Sequence, residues 1–219
     1  MLGKIMPHQE RLILQIFRNL EKNNCYEIVH LGVGTPRVPG RDVKAWSEEV
    51  HRLQREDYTS PRGQKVTQLV RRFNVIYSDI SYTEEKITGW MEEKETELRS
   101  QEYFEYSDLE GDLSGKQSYE MIDAANINLP DSSVDFVIAV GLFSKQVPSI
   151  WESLECVLSE IKRIMKESGQ TLLTLRSEYF DDFSLIVSST GLSIKILDSS
   201  NDTLGFRDRP GQRMIIQLT

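Results

Sequence analysis

The sequence predicts an α/β fold: a mostly parallel sheet with helices on both faces. Three observations lead there. Short apolar runs and amphipathic helical segments alternate along the whole chain of 219 residues, the pattern made by parallel strands joined through crossover helices. The most apolar run, "VDFVIAVGLF" (134–143), is short and valine-rich, as a strand buried on both faces should be. Several strand ends carry glycine or a carboxylate, and sheets of this kind bind ligands beyond their carboxyl ends.

The elements follow in order. Residues 8–23 set Leu12, Ile13, Ile16, Phe17 and Leu20 on one face of a helix. "EIVHL" (27–31) is a short strand. Residues 41–57 read as a mostly exposed helix. Residues 62–73 read as a second helix, with Val66, Leu69, Val70 and Phe73 inward. "NVIYSDIS" (74–81) is a strand. Ser81 and Glu84 then form a capping box that opens a helix to about Arg99, burying Ile87, Trp90 and Met91. The acidic, glycine-containing stretch 100–118 reads as a surface loop. The next strand is "YEMID" (119–123), with "YFEY" (103–106) as the competing choice. After the run at 134–143, a helix spans 148–167, opened by Pro148 and followed by Gly169. "TLLTL" (171–175) is a strand, 178–189 a helix ended by Gly191, and "LSIKILD" (192–198) and "RMIIQL" (213–218) are the last strands. No helix separates these two, so the final strand can enter the sheet reversed. Neither a repeat nor a low-complexity linker interrupts the chain, so residues 1–219 are expected to form a single domain.

Composition narrows the function. Apolar residues make up 39% and charged residues 27%, which fits a soluble globular protein. The net charge of -8 weighs against a sequence-independent grip on nucleic acid, which needs a basic surface. No apolar run is long enough to span a membrane, and no signal-peptide pattern opens the chain. Cys25 and Cys156 lie far apart and are expected to be reduced thiols in a cytosolic protein. His8, His30 and His51 lack ligand spacing, so no metal site is expected.

The strand ends carry the candidate chemistry. Gly32, Gly34 and Thr35 follow the first strand, Asp79 the second, Asp123 and Ala124 the third, and Gly141, Leu142 and Phe143 the fourth. Glycines let the backbone approach a ligand closely. A carboxylate after the second strand can accept two hydrogen bonds from a ribose diol. One after the third can accept from an exocyclic amine, with apolar neighbours sandwiching a purine. The plainer alternatives are helix caps or loop carboxylates for Asp79 and Asp123, and a tight turn without ligand for the glycines. Tyr58, Arg62 and Arg71 read as surface residues, and Asp135 as a structural residue opening its strand. Trp46, Trp90 and Trp151 are expected in helix interfaces, and "EEKETE" (92–97) as a solvated helix face. "FRDRPGQR" (206–213) reads as a hairpin turn in preference to a substrate rim.

Between residues 74 and 175 the chain resembles the class I S-adenosylmethionine-dependent methyltransferases. "VIYSDISYTEEKI" looks like the family's second motif. "IDAANINLPDSSVDFVIAVGLF" looks like its third and fourth, and "LECVLSEIKRIMKESGQTLLTL" like its next helix, glycine turn and fifth strand, with Ser168 in place of one glycine. The resemblance implies a Rossmann-like three-layer sandwich with a seven-stranded sheet whose last strand is antiparallel. It implies S-adenosylmethionine as cofactor, with Asp79 at the ribose, Asp123 at the adenine amine, Gly32 and Gly34 bordering the methionine moiety, and Ala124 and Gly141 beside them. Methyl transfer by direct displacement works by positioning and by excluding water, so no catalytic triad is expected. No N/D-P-P-Y follows the fourth strand, which reads "GLFS", and this disfavours amide or base nitrogens as acceptors. A small-molecule substrate is expected.

The match departs from the family at the first motif, where Pro36 stands in place of a third glycine. About forty residues separate Gly34 from Asp79, leaving room for an insertion at about 36–60 that is either a lid over the site or a partner surface. A methyltransferase-like binding or regulatory protein without catalysis is the second reading. Residues 28–73 also resemble the N-terminal part of fold-type I pyridoxal-phosphate aminotransferases, through Gly34-Thr35-Pro36, Tyr58, Gly63 and Val70-Arg71. Those enzymes need a lysine domain on a much longer chain, so activity of that kind is not expected.

Overall fold

Alternation along the strands divides their side chains between two cores. In β1 (Cys25–Leu31), Ile28 faces one side of the sheet and Val29 and Leu31 the other. β6 (Val134–Ala139) repeats this, with Phe136 and Ile138 on the first side and Val137 and Ala139 on the second. The period of two is the strand pleat, and burial on both faces is what the continuous apolar runs encode. The computed structural model describes residues 8–32, 50, 52–79, 85, 117–140, 142–143, 148–198 and 213–219.

Helix α1 (His8–Arg18) covers the first side. Ile13, Leu14 and Phe17 pack there with Phe73, Val75 and Tyr77 of β4 (Arg72–Ser78). Phe17 stands 5.5 Å from Phe73 and 5.1 Å from Phe136, centroid to centroid. The second side is covered by α3 (Leu154–Ile164), which buries Leu154, Val157, Leu158, Ile161 and Ile164, and by α4 (Phe180–Thr190), which buries Phe183 and Val187. The short helix α2 (Pro148–Glu152) precedes α3, and Trp151 packs on Tyr179 at 5.2 Å. Gly191 ends α4 in the left-handed conformation, φ 69°, which glycine adopts without steric cost.

The seven-stranded sheet runs β5-β4-β1-β6-β7-β9-β8, where β5 is Gln117–Glu120, β7 Met165–Arg176, β8 Ile194–Asp198 and β9 Arg213–Leu218. β9 is antiparallel to both neighbours, and the other pairings are parallel. This is the predicted three-layer α/β sandwich with its last strand reversed.

The region between β1 and β4 differs from the expectation. Residues 55–57 and 62–73 are not helical. Arg55–Thr59 (β2) and Lys65–Leu69 (β3) form an antiparallel hairpin, a separate two-stranded sheet. Val66, Leu69, Val70 and Phe73 fit helical spacing by coincidence. The turn Ser60-Pro61-Arg62-Gly63, with Gly63 at φ 75°, closes the hairpin instead. Helical residues do precede it, and Val50 and Leu53 are buried rather than exposed.

The base of the hairpin is tied to the amino-terminal edge of the sheet. Val70 N–H donates to Gln54 O at 2.7 Å, Asn23 N–H to Val70 O at 2.7 Å, and Lys22 pairs with Glu56 at 2.6 Å. The described part of the insertion is therefore anchored at the end opposite the candidate ligand residues, while residues 36–49 of it lie outside the described residues. Arg71, expected at the surface, is 5% exposed. Its guanidinium donates to the carbonyls of Leu20 (2.9 Å), Arg18 (2.9 Å) and Leu53 (3.2 Å), joining three separate chain segments. Tyr58 and Arg62 are exposed as expected.

The helix expected over 148–167 breaks at Ser153 and stops at Ile164. Its last carbonyls are taken from outside: Ser132 N–H donates to Arg163 O and Ser133 N–H to Ile164 O. β7 begins at once, but residues 166–169 bulge out against the single residue Asp135, since Val134 pairs with Met165 and Phe136 with Gln170. The Lys166–Gly169 turn thus lies within β7. A Cβ at Gly169 would stand 2.9 Å from Lys166 O, so only glycine closes it. Asp135 Oδ2 holds the bulge, accepting from Lys166 Nζ and from Glu27 N–H of β1, both at 2.8 Å. That confirms its structural role. The predicted helix over 81–99 lies outside the described residues apart from Glu85, which is helical. Trp46, Trp90, the YFEY strand and the loop 206–212 also lie outside them.

Arg71→Met keeps the apolar volume but removes the donor to one buried and two half-buried carbonyls, and it should lower the unfolding free energy in urea by about 2–4 kcal/mol. Arg62→Met, on the exposed turn, should change it by less than about 0.5 kcal/mol.

Candidate functional site

The order in which strands join the sheet reverses at β1. β4 and β5 lie on one side, β6 and β7 on the other, and a crevice opens at the carboxyl ends where strand order reverses. Pairing registers place the candidates there. Leu31 is level with Ser78, and Ser78 with Glu120. Gly32 and Asp79 are therefore the first residues past two adjacent strand ends.

Gly32 has φ 65°, a conformation that favours glycine. A Cβ there would stand 2.8 Å from Leu142 Cδ1. Gly32, just past β1, thus packs directly on Leu142, after β6, and its positive φ and this close approach together favour glycine. Asp79 is partly buried. Asp123 lies three residues beyond β5 in a tight turn: Asn126 N–H donates to Asp123 O, and Ala125 N–H to Asp123 Oδ1, both at 2.9 Å. Its carboxylate is exposed and Ala124 beside it is buried. Gly34 and Gly141 lie outside the described residues. Leu142 and Phe143, after Gly141, are buried. Gly32, Asp79 and the 142–143 segment are brought together at the reversal, while Asp123 and Ala124 occupy their own turn at the β5 side.

Several features of this edge escape sequence reasoning. His30, two residues before Gly32, is buried, and its ring lies 6.1 Å from that of Tyr77. Burial pushes its pKa down to about 4, because a low-dielectric interior disfavours the cation. Its place inside a strand of apolar neighbours is the signal that marks it as a neutral core histidine. Met121 is 64% exposed at the end of β5, an apolar rim residue beside the Asp123 turn. Glu160 and Arg163 of α3 grip the loop that leaves this turn: Glu160 accepts Ile127 N–H, and Arg163 donates to Ile127 O and Leu129 O.

The chemistry on offer is recognition. A partly buried carboxylate, an exposed carboxylate in a tight turn, a glycine turn and an apolar wall suit a ribose, a base edge and a close backbone approach. Among the described residues, no group of three or more His, Cys, Asp or Glu could hold a metal ion, and no helix is long and apolar enough to cross a membrane.

The chain has the Rossmann-like fold of S-adenosylmethionine-dependent methyltransferases. Solved structures that share it include the YcgJ protein from Bacillus subtilis, at 10% identity and a TM-score of 0.58 over 96% of this chain and 97% of that one. A SAM-dependent methyltransferase from Aquifex aeolicus matches at 16% identity and a TM-score of 0.54, over 97% and 89%. A TehB-like SAM-dependent methyltransferase from Corynebacterium glutamicum matches at 14% and 0.52, over 99% and 89%. No protein-family model and no curated protein matches the sequence. The aminotransferase resemblance of residues 28–73 finds no support in the fold.

His30 yields a pH prediction. Its folded pKa lies below the unfolded value of 6.5, so the unfolded chain takes up the proton first. Stability from this group is complete above pH 6.5 and is lost as pH falls toward 4, by up to about 3 kcal/mol. Urea unfolding between pH 7 and 5 should show this slope, and His30→Leu should flatten it.

Proposed function

We propose that the protein is an S-adenosylmethionine-dependent methyltransferase that acts on a small-molecule acceptor by direct methyl transfer. The observation that carries this reading is the placement of Gly32, Asp79 and the Asp123 turn at the carboxyl ends of β1, β4 and β5, beside the strand-order reversal. Asp79 accepts hydrogen bonds from the ribose hydroxyls. Asp123 accepts from the adenine amine through its exposed carboxylate, and Ala124 and Met121 give the ring apolar contact. The Gly32 turn lets main chain border the methionine portion. Gly34 and Gly141 complete that border in the same reading.

S-adenosylmethionine supplies a methyl on a sulfonium, open to attack by the acceptor's lone pair. The protein then needs only to align acceptor and methyl and to exclude water, and no covalent residue is called for. The charge of -8 favours a small acceptor over nucleic acid. Cys25 and Cys156 are free thiols, which suits a reducing compartment such as the cytosol.

Isothermal titration tests the reading. S-adenosylmethionine should bind with a Kd on the order of micromolar, a typical value for a cofactor of this size. Asp79→Ala, which removes charge-assisted bonds to the ribose, should weaken it by about ten- to a hundredfold. No heat at millimolar ligand would overturn the cofactor reading and favour the non-catalytic one.

A further inference from the structure

A dense polar network lies at the last turn of α3. Arg163 donates from Nε to Glu160 Oε1 (3.0 Å), and from one terminal nitrogen to Glu160 Oε2 (2.8 Å) and Ile127 O (2.6 Å). From the other it reaches Leu129 O (2.8 Å) and the Asp131 carboxylate. Glu160 Oε2 also accepts Ile127 N–H at 2.8 Å. The Arg163 guanidinium is held above its ordinary pKa and the Glu160 carboxyl below its own, each chiefly by the hydrogen bonds between them.

An exposed ion pair three residues apart on a helix contributes little to stability. This pair does something else: it holds one residue by both of its main-chain polar groups. The N–H of Ile127 is bound by Glu160 and its C=O by Arg163, which fixes the backbone at that residue. The Ile127 side chain is itself buried. The residue before it, Asn126, closes the turn onto Asp123 through its N–H and an isolated bridge. The turn that presents the Asp123 carboxylate and Ala124 is therefore anchored at its outgoing end by two side chains from α3, which packs in the same core as Ala124 and Ile127. No part of that turn is in a regular strand or helix, so the clamp supplies rigidity that secondary structure does not.

We propose that Glu160 and Arg163 are positioning residues for base recognition: by clamping Ile127 they hold the Asp123–Asn126 turn in the geometry that prefers a 6-amino purine to a 6-oxo purine. This rests on the reading that Asp123 meets the adenine amine. A guanidinium is required because a planar fork reaches several acceptors at once, where an ammonium satisfies them only in part.

The experiment is isothermal titration of the full chain with S-adenosylhomocysteine and with its inosine counterpart, S-inosylhomocysteine. Wild type should prefer the adenosine ligand by about tenfold or more, the worth of one charge-assisted hydrogen bond. Arg163→Met should erase most of that preference while leaving the inosine ligand's affinity near its wild-type value, and Arg163→Lys should restore part of it. Thermal melts establish that each variant is folded, and Arg163→Lys carries the test if Arg163→Met is not. If both ligands weaken equally with the preference intact, the clamp is merely structural and the proposal is overturned. If wild type binds both ligands equally well, base recognition by Asp123 is overturned together with the clamp. If wild type binds neither ligand, the cofactor reading itself falls.

Discussion

Strand β1 is paired along both edges with parallel neighbours, and Ile28, Val29, His30 and Leu31 are all buried. A strand held this way is open only at its ends. Because β1 leads on to β4 on one side while β6, its other neighbour, leads on to β7 away from it, the connections diverge over its carboxyl end and leave a crevice. Everything placed at the site follows from this. Gly32 is there because β1 ends there, Asp79 because β4 is in register with β1, and Leu142 because the segment after β6 closes against Gly32. The burial that makes β1 central also suppresses the charge of His30, so this side chain stays neutral at physiological pH.

The opposite edge of the sheet is built from polar ties. Asp135 joins β6 to the backbone of β1 and to the bulge of β7 through one carboxylate oxygen. Arg71 joins the start of β4 to the end of α1 and to the helical residues before the hairpin. Each places a charge against main-chain groups that no strand or helix satisfies, and leaving such buried groups unpaired is costly. The hairpin of β2 and β3 hangs from this edge with both faces largely exposed. A two-stranded ribbon is marginal by itself, so its base contacts account for its order.

The alternation of elements from residue 134 onward was legible because it rests on periodicity over long spans: the valine-rich β6, the apolar stripe of α3, and the Gly191 stop. The reversed last strand was legible from the missing crossover helix. The hairpin was not, because Val66, Leu69, Val70 and Phe73 mimic a helical stripe. The overlooked signals were the β-branched Thr59, Val66 and Thr67 around a Pro-Arg-Gly turn. Arg71 could not be read locally, since its three acceptors lie 18 to 53 residues away. The α3 end was misplaced because Ser132 and Ser133, distant in sequence, take the helix's final carbonyls. Of the candidate site, the positions of Gly32 and Asp79 just past strand ends, and of Asp123 in the turn after β5, were legible from the strand pattern. The support for the Asp123 turn was not, since it comes from Glu160 and Arg163, 33 and 36 residues beyond Ile127 in sequence.

The central claim is that the crevice at the β1–β6 reversal holds the cofactor. Hydrogen–deuterium exchange of the full chain, with and without saturating S-adenosylhomocysteine, tests it most directly. Protection should concentrate at residues 28–32, 77–79 and 121–127, with the hairpin at 55–69 unchanged. Protection confined to the hairpin or to the helices, with those three stretches exchanging as in the free protein, would contradict it.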